Sequence, residues 1–144
     1  MRMYVDGSYD APSGIYGYGI VAVYPNGDVE KYGRAGNNRD ISSIRNVAGE
    51  MIAAMCAVQL ALQKQQKDVT ICYDYTGIEY WATRTWKAKN NFSIKYGDFM
   101  RKMGDKISIS FEKVSAHSGD LYNEMADAVA KAAVREFKRK ECRV

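Results

Sequence analysis

Residues 16–34 read YGYGIVAVYPNGDVEKYGR, a pattern that predicts a β-hairpin. The first arm, residues 16–24, is rich in the β-branched and aromatic residues that favour strands. Asn26-Gly27 lies at the centre of the turn, where this pair readily adopts the positive φ angles of a tight hairpin. Residues 29–34 then return as the second arm. The hairpin therefore indicates that the sheet begins as an antiparallel meander.

The spacing of apolar residues places the other elements around this hairpin. It predicts further strands at 3–5, 69–73 and 106–114, helices at 49–65, 76–86, 93–103 and 120–140, and a polar loop at 36–43. The first helix is expected to pack closely on the sheet through Ala53, Ala54, Ala57 and Ala61. The last helix is expected to bury Leu121, Met125, Val129, Ala132 and Phe137. The order β-β-β-α-β-α-α-β-α predicts an α/β fold with a five-stranded mixed sheet, an antiparallel meander plus parallel strands, flanked by helices.

The composition is that of one folded domain spanning residues 1–144. Hydrophobic residues make up 47% of the chain and charged residues 26%, which excludes disordered and low-complexity classes. Three cysteines without a C-x-x-C pattern indicate reduced thiols. The sequence contains neither an apolar run of about 18 residues, as a membrane span requires, nor a signal peptide. We therefore expect a cytoplasmic protein that does not engage a membrane.

The charges allow a polyanionic partner without requiring one. The chain has 21 Lys and Arg residues against 17 Asp and Glu, a net charge of +4. Basic residues concentrate in 84–102 and at the end of the last helix, 138–144. A solvated helix face explains each run as well as a binding surface does.

Four carboxylates lie at positions that suggest a shared site. Asp6 follows the first strand, Glu50 opens the Ala-rich helix, Asp74 ends a buried strand and Asp127 lies in the last helix. Taken singly, they are equally consistent with a turn, a helix-dipole partner, a helix cap and a solvent-facing residue. Sites in α/β sheets gather at strand ends and nearby helix starts, so we expect the four together.

Such a cluster would repel itself unless cations share it. Carboxylate oxygens suit Mg²⁺ or Mn²⁺ rather than zinc. Two such ions, about 3.5–4 Å apart and bridged by carboxylate, form a site for phosphoryl transfer.

Four segments in this order resemble type 1 ribonuclease H. They are YVDGS at 4–8, AGEM at 48–51, YDYTGIE at 73–79 and AHSGDLYNEMAD at 116–127. The resemblance extends from residue 3 to about residue 137. The sequence around Tyr73 and His117 is most similar to the bacterial branch of the family that is often joined to a viroplasmin-like hybrid-binding domain. That appended domain is not expected within this chain.

The resemblance implies a role for each matching residue. Asp6, Glu50, Asp74 and Asp127 would hold two Mg²⁺ ions, with Mn²⁺ a possible substitute. His117, otherwise a surface loop residue, would assist proton transfer or the release of product and metal. The reaction implied is endonucleolytic hydrolysis of the RNA strand of an RNA–DNA hybrid, which leaves 5′-phosphate and 3′-hydroxyl ends.

Substrate contacts are expected from residues around these acids and from a basic, aromatic segment. The family distinguishes RNA by contacts to 2′-hydroxyl groups in the minor groove. The candidates here are Gly7, Ser8, Arg45, Asn46, Thr76, Trp86, Lys87, Lys89 and Asn123. Many members carry two adjacent Asn residues before the metal-binding Glu, where this chain has only Asn46, with Arg45 as a candidate phosphate contact. Trp81 is expected in the core, which leaves Trp86 as the better aromatic candidate for stacking on the substrate.

Two other functions remain open from the sequence. One is a catalytically idle module that binds hybrids or RNA, although such a module has no reason to retain four repelling acids. The other is a nuclease of the same fold that acts on DNA, which the loop containing His117 disfavours. The preferred expectation is an enzyme that acts on RNA–DNA hybrids as a monomer.

Overall fold

The chain folds into one mixed sheet with helices on both faces. The computed structural model describes residues 1–42, 46–88, 90–115 and 120–141, except for the side chains of Asp40, Ser42 and Asn46. The strands are β1 (Arg2–Asp10), β2 (Ile15–Val23), β3 (Val29–Gly36), β4 (Asp68–Tyr73) and β5 (Ser108–Lys113). The helices are α1 (Arg39–Ser42), α2 (Asn46–Gln63), α3 (Gly77–Ala82), α4 (Asn91–Met103) and α5 (Leu121–Glu141).

The strand order across the sheet is β3-β2-β1-β4-β5. The first three strands pair antiparallel as a meander, whereas β4 and β5 extend the sheet in parallel from β1. Helix α2 packs on β1, β2 and β4, with α3 and α4 beside it, and α5 packs across β1, β2 and β3. The predicted fold class and the five-stranded mixed sheet are confirmed.

Side-chain alternation along β1 separates two cores. Met3 and Val5 join the larger cluster beneath α2, whereas Tyr4 joins a smaller cluster with Ala126 of α5. The four alanines predicted to bring α2 close to the sheet are all fully buried. Of the three cysteines, Cys56 and Cys72 are free thiols, as expected, and Cys142 lies outside the described residues.

The buried face of α5 differs from the predicted one. The residues buried on α5 are Asn123, Ala126, Ala130 and Val134. Leu121 is 64% exposed, Ala132 is exposed, and Met125, Val129 and Phe137 are only half-buried. The physical reason is a set of glycines on β2 and β3 against which the α5 backbone packs directly: a Cβ at Gly17 would lie 2.5 Å from Val134 Cγ2, and one at Gly19 would collide with the carbonyl oxygen of Ala126. Small residues therefore take the inner face, and the larger ones turn to the sides.

Several boundaries also differ. Strand β1 continues to Asp10 because β2 pairs along its whole length, so the reading of Asp6-Gly7 as a turn is wrong. The predicted loop at 36–43 contains the short helix α1. Helix α3 ends at Ala82 instead of reaching residue 86, because Arg84 adopts a φ of 65° that a helix cannot continue through. No helix in the described part of the chain is both long and apolar enough to cross a membrane.

Candidate active site

Three of the four predicted carboxylates meet at one edge of the sheet. One oxygen each from Asp6, Glu50 and Asp74 lies within 4.8 Å of the other two. Asp6 is 9% exposed and Glu50 is 4% exposed, while Asp74 is half-buried. The expectation that strand ends and a helix start bring these acids together therefore holds for three of them.

Strand register explains why Asp6 and Asp74 are neighbours. The last pair of the parallel ladder between β1 and β4 joins Tyr4 to Cys72. Asp6 and Asp74 each lie two residues beyond that pair, where the ladder has ended and side chains from both strands approach the same space. Two residues is also the period of a strand, so Asp6, which lies within β1, is on the same face of that strand as Tyr4.

Glu50 joins the pair because α2 begins directly over the meander. A Cβ at Gly49 would collide with the carbonyl oxygen of Gly17 and lie 3.1 Å from the Cα of Gly7. The absence of a side chain at Gly49 thus lets the first turns of α2 approach β1 and β2 closely. Glu50, the next residue, is carried into the cluster by that approach.

Backbone N–H groups hold two of the carboxylates. Glu50 Oε1 accepts hydrogen bonds from the N–H groups of Asp74 at 3.1 Å and Tyr75 at 3.4 Å. Asp6 Oδ1 accepts one from the N–H of Gly7 at 2.9 Å. These bonds stabilise the charged forms and leave the remaining oxygens available to a ligand.

The electrostatics of the cluster favour a bound cation. Burial, followed by the nearby charge of Asp74, raises the pKa of Asp6 to about 7. The same two causes raise the pKa of Glu50 well above its usual range, although the N–H groups of Asp74 and Tyr75 oppose the shift. All donors in the cluster are carboxylate oxygens, which suits a hard divalent cation such as Mg²⁺ or Mn²⁺. The residues present therefore fit a divalent metal site.

The fourth carboxylate, Asp127, lies beside this cluster on α5. Its side chain interacts directly with that of Asp6 and contributes to the raised pKa of Asp6. Its Oδ2 lies 3.0 Å from the Nζ of Lys131. Asp127 therefore borders the three-carboxylate cluster while pairing with a cation of its own helix.

The predicted substrate residues fall into two groups around the acids. Gly7 and Ser8 follow Asp6 on β1 and are half-buried, as is Thr76 just before α3. Trp86, which is 40% exposed, and the exposed Lys87 line a groove of about 510 Å³. Its other lining residues include Trp81, Arg84 and Arg101. Trp81 is only 7% exposed, as predicted for a core residue.

Asn123 is buried rather than exposed on the helix surface. Its side chain is 4% exposed, and its Oδ1 has no hydrogen-bond partner within the described ranges. Its backbone N–H donates a hydrogen bond to Asp120 Oδ1 at 3.0 Å. Arg45, Lys89 and His117, together with the side chain of Asn46, lie outside the described residues, and their predicted roles stay predictions.

Two residues beside the acids were missed by sequence reasoning. Lys131 lies four residues after Asp127, a spacing that places two side chains together on a helix and could have revealed the pair. Tyr75 offers no comparable signal, because its contribution is a backbone N–H directed at a residue 25 positions away.

Comparison with known proteins agrees with this geometry. The family model described as RNase H matches residues 1–135. The chain belongs to the ribonuclease H family. A ribonuclease H from Francisella tularensis subsp. novicida (strain U112) is 29% identical over an alignment of 148 positions that covers 93% of this chain and 90% of that protein. Membership confirms the predicted enzyme class, a nuclease of the ribonuclease H type, and accords with metal-dependent chemistry at the acidic cluster.

Solved ribonucleases H share the fold. Ribonuclease H1 from the halophilic archaeon Halobacterium salinarum NRC-1 superimposes with a TM-score of 0.79 at 21% identity, covering 94% of this chain and 97% of that one. The LC11 ribonuclease H1, solved in complex with an RNA/DNA hybrid, gives a TM-score of 0.76 at 16% identity, covering 94% and 96%. At these identities the likeness establishes the shared architecture of the sheet and its helices.

Proposed function

We propose that this chain is a type 1 ribonuclease H, of the branch otherwise joined to viroplasmin-like domains, that hydrolyses the RNA strand of RNA–DNA hybrids with two Mg²⁺ ions. The observation that carries the proposal is the convergence of Asp6, Glu50 and Asp74 within 4.8 Å in a chain of the ribonuclease H family. Asp127, which borders the cluster, completes the proposed ligand set.

The role of the protein in the reaction is to hold these four carboxylates in position to bind the two ions. Bound ions of this kind activate the attacking water and stabilise the leaving oxygen. The water oxygen bonds to phosphorus while the bond from phosphorus to O3′ breaks, which yields a 5′-phosphate and a 3′-hydroxyl. Glu50 is held toward the cluster by two backbone N–H groups, so little reorganisation is needed when the ions bind. His117 is proposed to assist proton transfer or the departure of product and metal.

The substrate is proposed to lie over the acidic edge and the groove beside α3. Gly7, Ser8 and Thr76, which lie close to Asp6 and Asp74 in the chain, are together with Asn46 the candidates for contacts to the RNA strand and its 2′-hydroxyl groups. Arg45 is proposed to hold a backbone phosphate. Trp86, Lys87 and Lys89 are proposed to grip the partner strand by stacking and charge. The hybrid bound by the LC11 ribonuclease H1, which has the same fold, supports this choice of substrate.

We further propose that residues 1–144 act as a single catalytic domain, as a monomer and in the cytoplasm. The last turns of α5 support its inclusion in that domain, since Lys138 Nζ lies 3.4 Å from Asp10 Oδ1 and Asn37 donates a hydrogen bond to Glu141 at 3.0 Å. The described residues of the basic end, 138–141, therefore lie near Asp10 and Asn37.

A cleavage assay tests the function. Labelled RNA–DNA hybrid, duplex RNA, duplex DNA and single strands are incubated with Mg²⁺, with Mn²⁺ and with EDTA. We expect cutting of the RNA strand of the hybrid alone, only with a divalent ion, and none by Asp74→Asn, whereas Asp105→Asn, which removes an exposed carboxylate after α4, cuts normally. Equal cutting of duplex DNA would favour a DNA nuclease, and hybrid binding without cleavage would favour an idle module; either contradicts the proposal.

A further inference from the structure

The direction of the Glu50 carboxylate depends on the segment that follows β4. Glu50 Oε1 accepts hydrogen bonds from the N–H groups of Asp74 and Tyr75, and these residues come directly after the last residue of that strand. Beyond the strand, the ladder to β5 no longer holds them. The contacts that hold residues 74 and 75 in place therefore determine the direction in which Glu50 Oε2 points.

Tyr75 ties the segment to the first turn of α3 and to two tryptophans. Its carbonyl oxygen accepts the N–H of Ile78 at 3.0 Å. Its ring packs against Trp81, with centroids 5.7 Å apart, and meets Trp86 edge-on at 6.3 Å. Trp86 in turn packs on Trp81 at 6.1 Å and on Tyr80 at 5.3 Å. Ring pairs in these arrangements attract each other beyond the area they bury, so both tryptophans hold the Tyr75 ring directly, whereas the Tyr80 ring meets Trp86 and not Tyr75.

The surroundings of Gly77 show that these rings are tightly packed. A Cβ there would lie 2.5 Å from Tyr75 Cε2 and 2.8 Å from Trp81 Cζ3. Both distances are shorter than real Cβ contacts, so one ring would have to move. The absence of a side chain at Gly77 is what lets the Tyr75 ring settle against Trp81.

We propose that Tyr75 is a positioning residue for the metal site, whose ring, packed on Trp81 and Trp86, fixes the two backbone N–H groups that orient Glu50. This rests on the proposed function, since it assigns Glu50 to a metal ion. The ring supplies the effect through its packing, and the hydroxyl is not required. Phenylalanine should therefore replace Tyr75, and alanine should not.

The first test measures Mn²⁺ binding by isothermal titration calorimetry without substrate. We expect Tyr75→Ala to weaken Mn²⁺ binding about tenfold, as loss of support for a metal ligand typically does. Tyr75→Phe should match the wild type. The matched control is Tyr80→Ala, which removes a ring that packs on Trp86 but not on Tyr75. Its Mn²⁺ affinity should equal that of the wild type. Wild-type affinity in Tyr75→Ala, or an equal loss in Tyr80→Ala, overturns the proposal.

A second test separates this proposal from the metal mechanism. Hydrogen exchange of the Asp74 and Tyr75 amides is followed in EDTA, where no metal contributes. Both amides should be protected in the wild type and in Tyr75→Phe, and should exchange about tenfold faster in Tyr75→Ala while β4 amides do not. Unchanged exchange overturns the positioning role. A wild type that binds no Mn²⁺ but shows this exchange pattern refutes the metal mechanism and leaves the orientation of Glu50 by Tyr75 established.

Two further measurements exclude other roles. If Tyr75→Ala does not fold, Gly77→Ala decides, because it keeps Tyr75 but displaces its ring; it should weaken Mn²⁺ binding, and wild-type affinity overturns the proposal. At saturating Mn²⁺, the KM for hybrid should not change in Tyr75→Ala. A raised KM with normal Mn²⁺ affinity would make Tyr75 a substrate contact instead.

Discussion

Lys131 Nζ lies 3.0 Å from Asp127 Oδ2, one helical turn further along α5. Asp127 also interacts with Asp6, so this carboxylate stands between a cation of its own helix and the acidic cluster. The Lys131 side chain is 55% exposed, and such a pair contributes at most about 1 kcal/mol. In the metal-free protein, Lys131 therefore partly neutralises a carboxylate that the proposed mechanism assigns to a metal ion.

Replacing Lys131 should strengthen metal binding. In Lys131→Gln the competing cation is gone, and we expect Mn²⁺ affinity to rise about twofold, in proportion to the small value of an exposed pair. Isothermal titration calorimetry measures this directly. Lys138→Gln is the control, because it removes the same charge from the same helix at a position paired with Asp10. Weaker Mn²⁺ binding in Lys131→Gln would show that the pair supports the site rather than competing for it.

The metal-free protein should lose stability as the pH rises. The folded-state pKa of Asp6, about 7, exceeds its ordinary value of 3.8, so ionisation of Asp6 opposes folding. The free energy of unfolding of the wild type therefore falls relative to that of Asp6→Asn between pH 4 and pH 7, by on the order of 4 kcal/mol once Asp6 is charged. Chemical denaturation in EDTA at pH 5 and pH 8 measures the difference between the two proteins.

The control for this pH effect is Asp105→Asn, whose exposed carboxylate lies outside the cluster. Its stability relative to the wild type should not vary over the same pH range. Adding Mg²⁺ at pH 8 should stabilise the wild type more than Asp6→Asn. A gap between wild type and Asp6→Asn that does not widen with pH would contradict the assigned burial of Asp6.

Gly19→Ala should disrupt both the fold and the site. Gly19 pairs with Asp6 across β1 and β2, and a Cβ there would collide with the backbone of α5 at Ala126. Moving α5 outward also moves Asp127 away from Asp6. We expect a loss of about 3 kcal/mol in the free energy of unfolding, at the upper end for overpacking, and reduced cleavage. Gly104→Ala, at a helix end with ordinary φ and no contact below 3.3 Å, should be tolerated, and equal effects of the two would refute the argument.

Hybrid binding should weaken steeply with salt. Contacts to ~3–5 phosphates give a slope of about −3 to −4 in log affinity against log salt. Lys87→Gln, in the groove with Trp86, should make the slope shallower by about one. Fluorescence anisotropy in EDTA measures this without cleavage. Lys106→Gln removes an exposed charge just before β5, at the sheet end opposite the acids, and a similar change there would mean that the groove is not a specific contact.

Local patterns predicted much of the fold correctly. The turn at residues 25–28 and the strands around it depend on residues close in sequence, and they form as predicted, although Gly27 alone of the Asn26-Gly27 pair has a positive φ, 93°. The alanines of α2 are buried as predicted, because a helix face of small residues can pack closely on a sheet whatever the details of their contact. Asp6 and Asp74 converge for an equally general reason, namely that parallel strands end at the same edge, and Glu50 lies near the start of a helix beside that edge.

The failures concern contacts between distant residues. Hydrophobicity favours Leu121 as a buried residue of α5, yet it is 64% exposed, since the glycines of β2 and β3 admit only the alanine face. The hydrogen bonds from the backbone N–H groups of Asp74 and Tyr75 to Glu50 likewise could not be predicted from the sequence, because every residue except proline carries an N–H.

The sequence by itself determined the order of the strands and the longer helices, the mixed sheet and the identity of the acids, since periodicity and residue chemistry are local properties. Tertiary structure alone decided which face of α5 is buried and that an aromatic group behind Tyr75 supports Glu50. These features depend on how closely two backbones approach. That distance is set by residues far apart in the chain, such as Gly19 and Ala126, which meet only when the sheet and helix have packed.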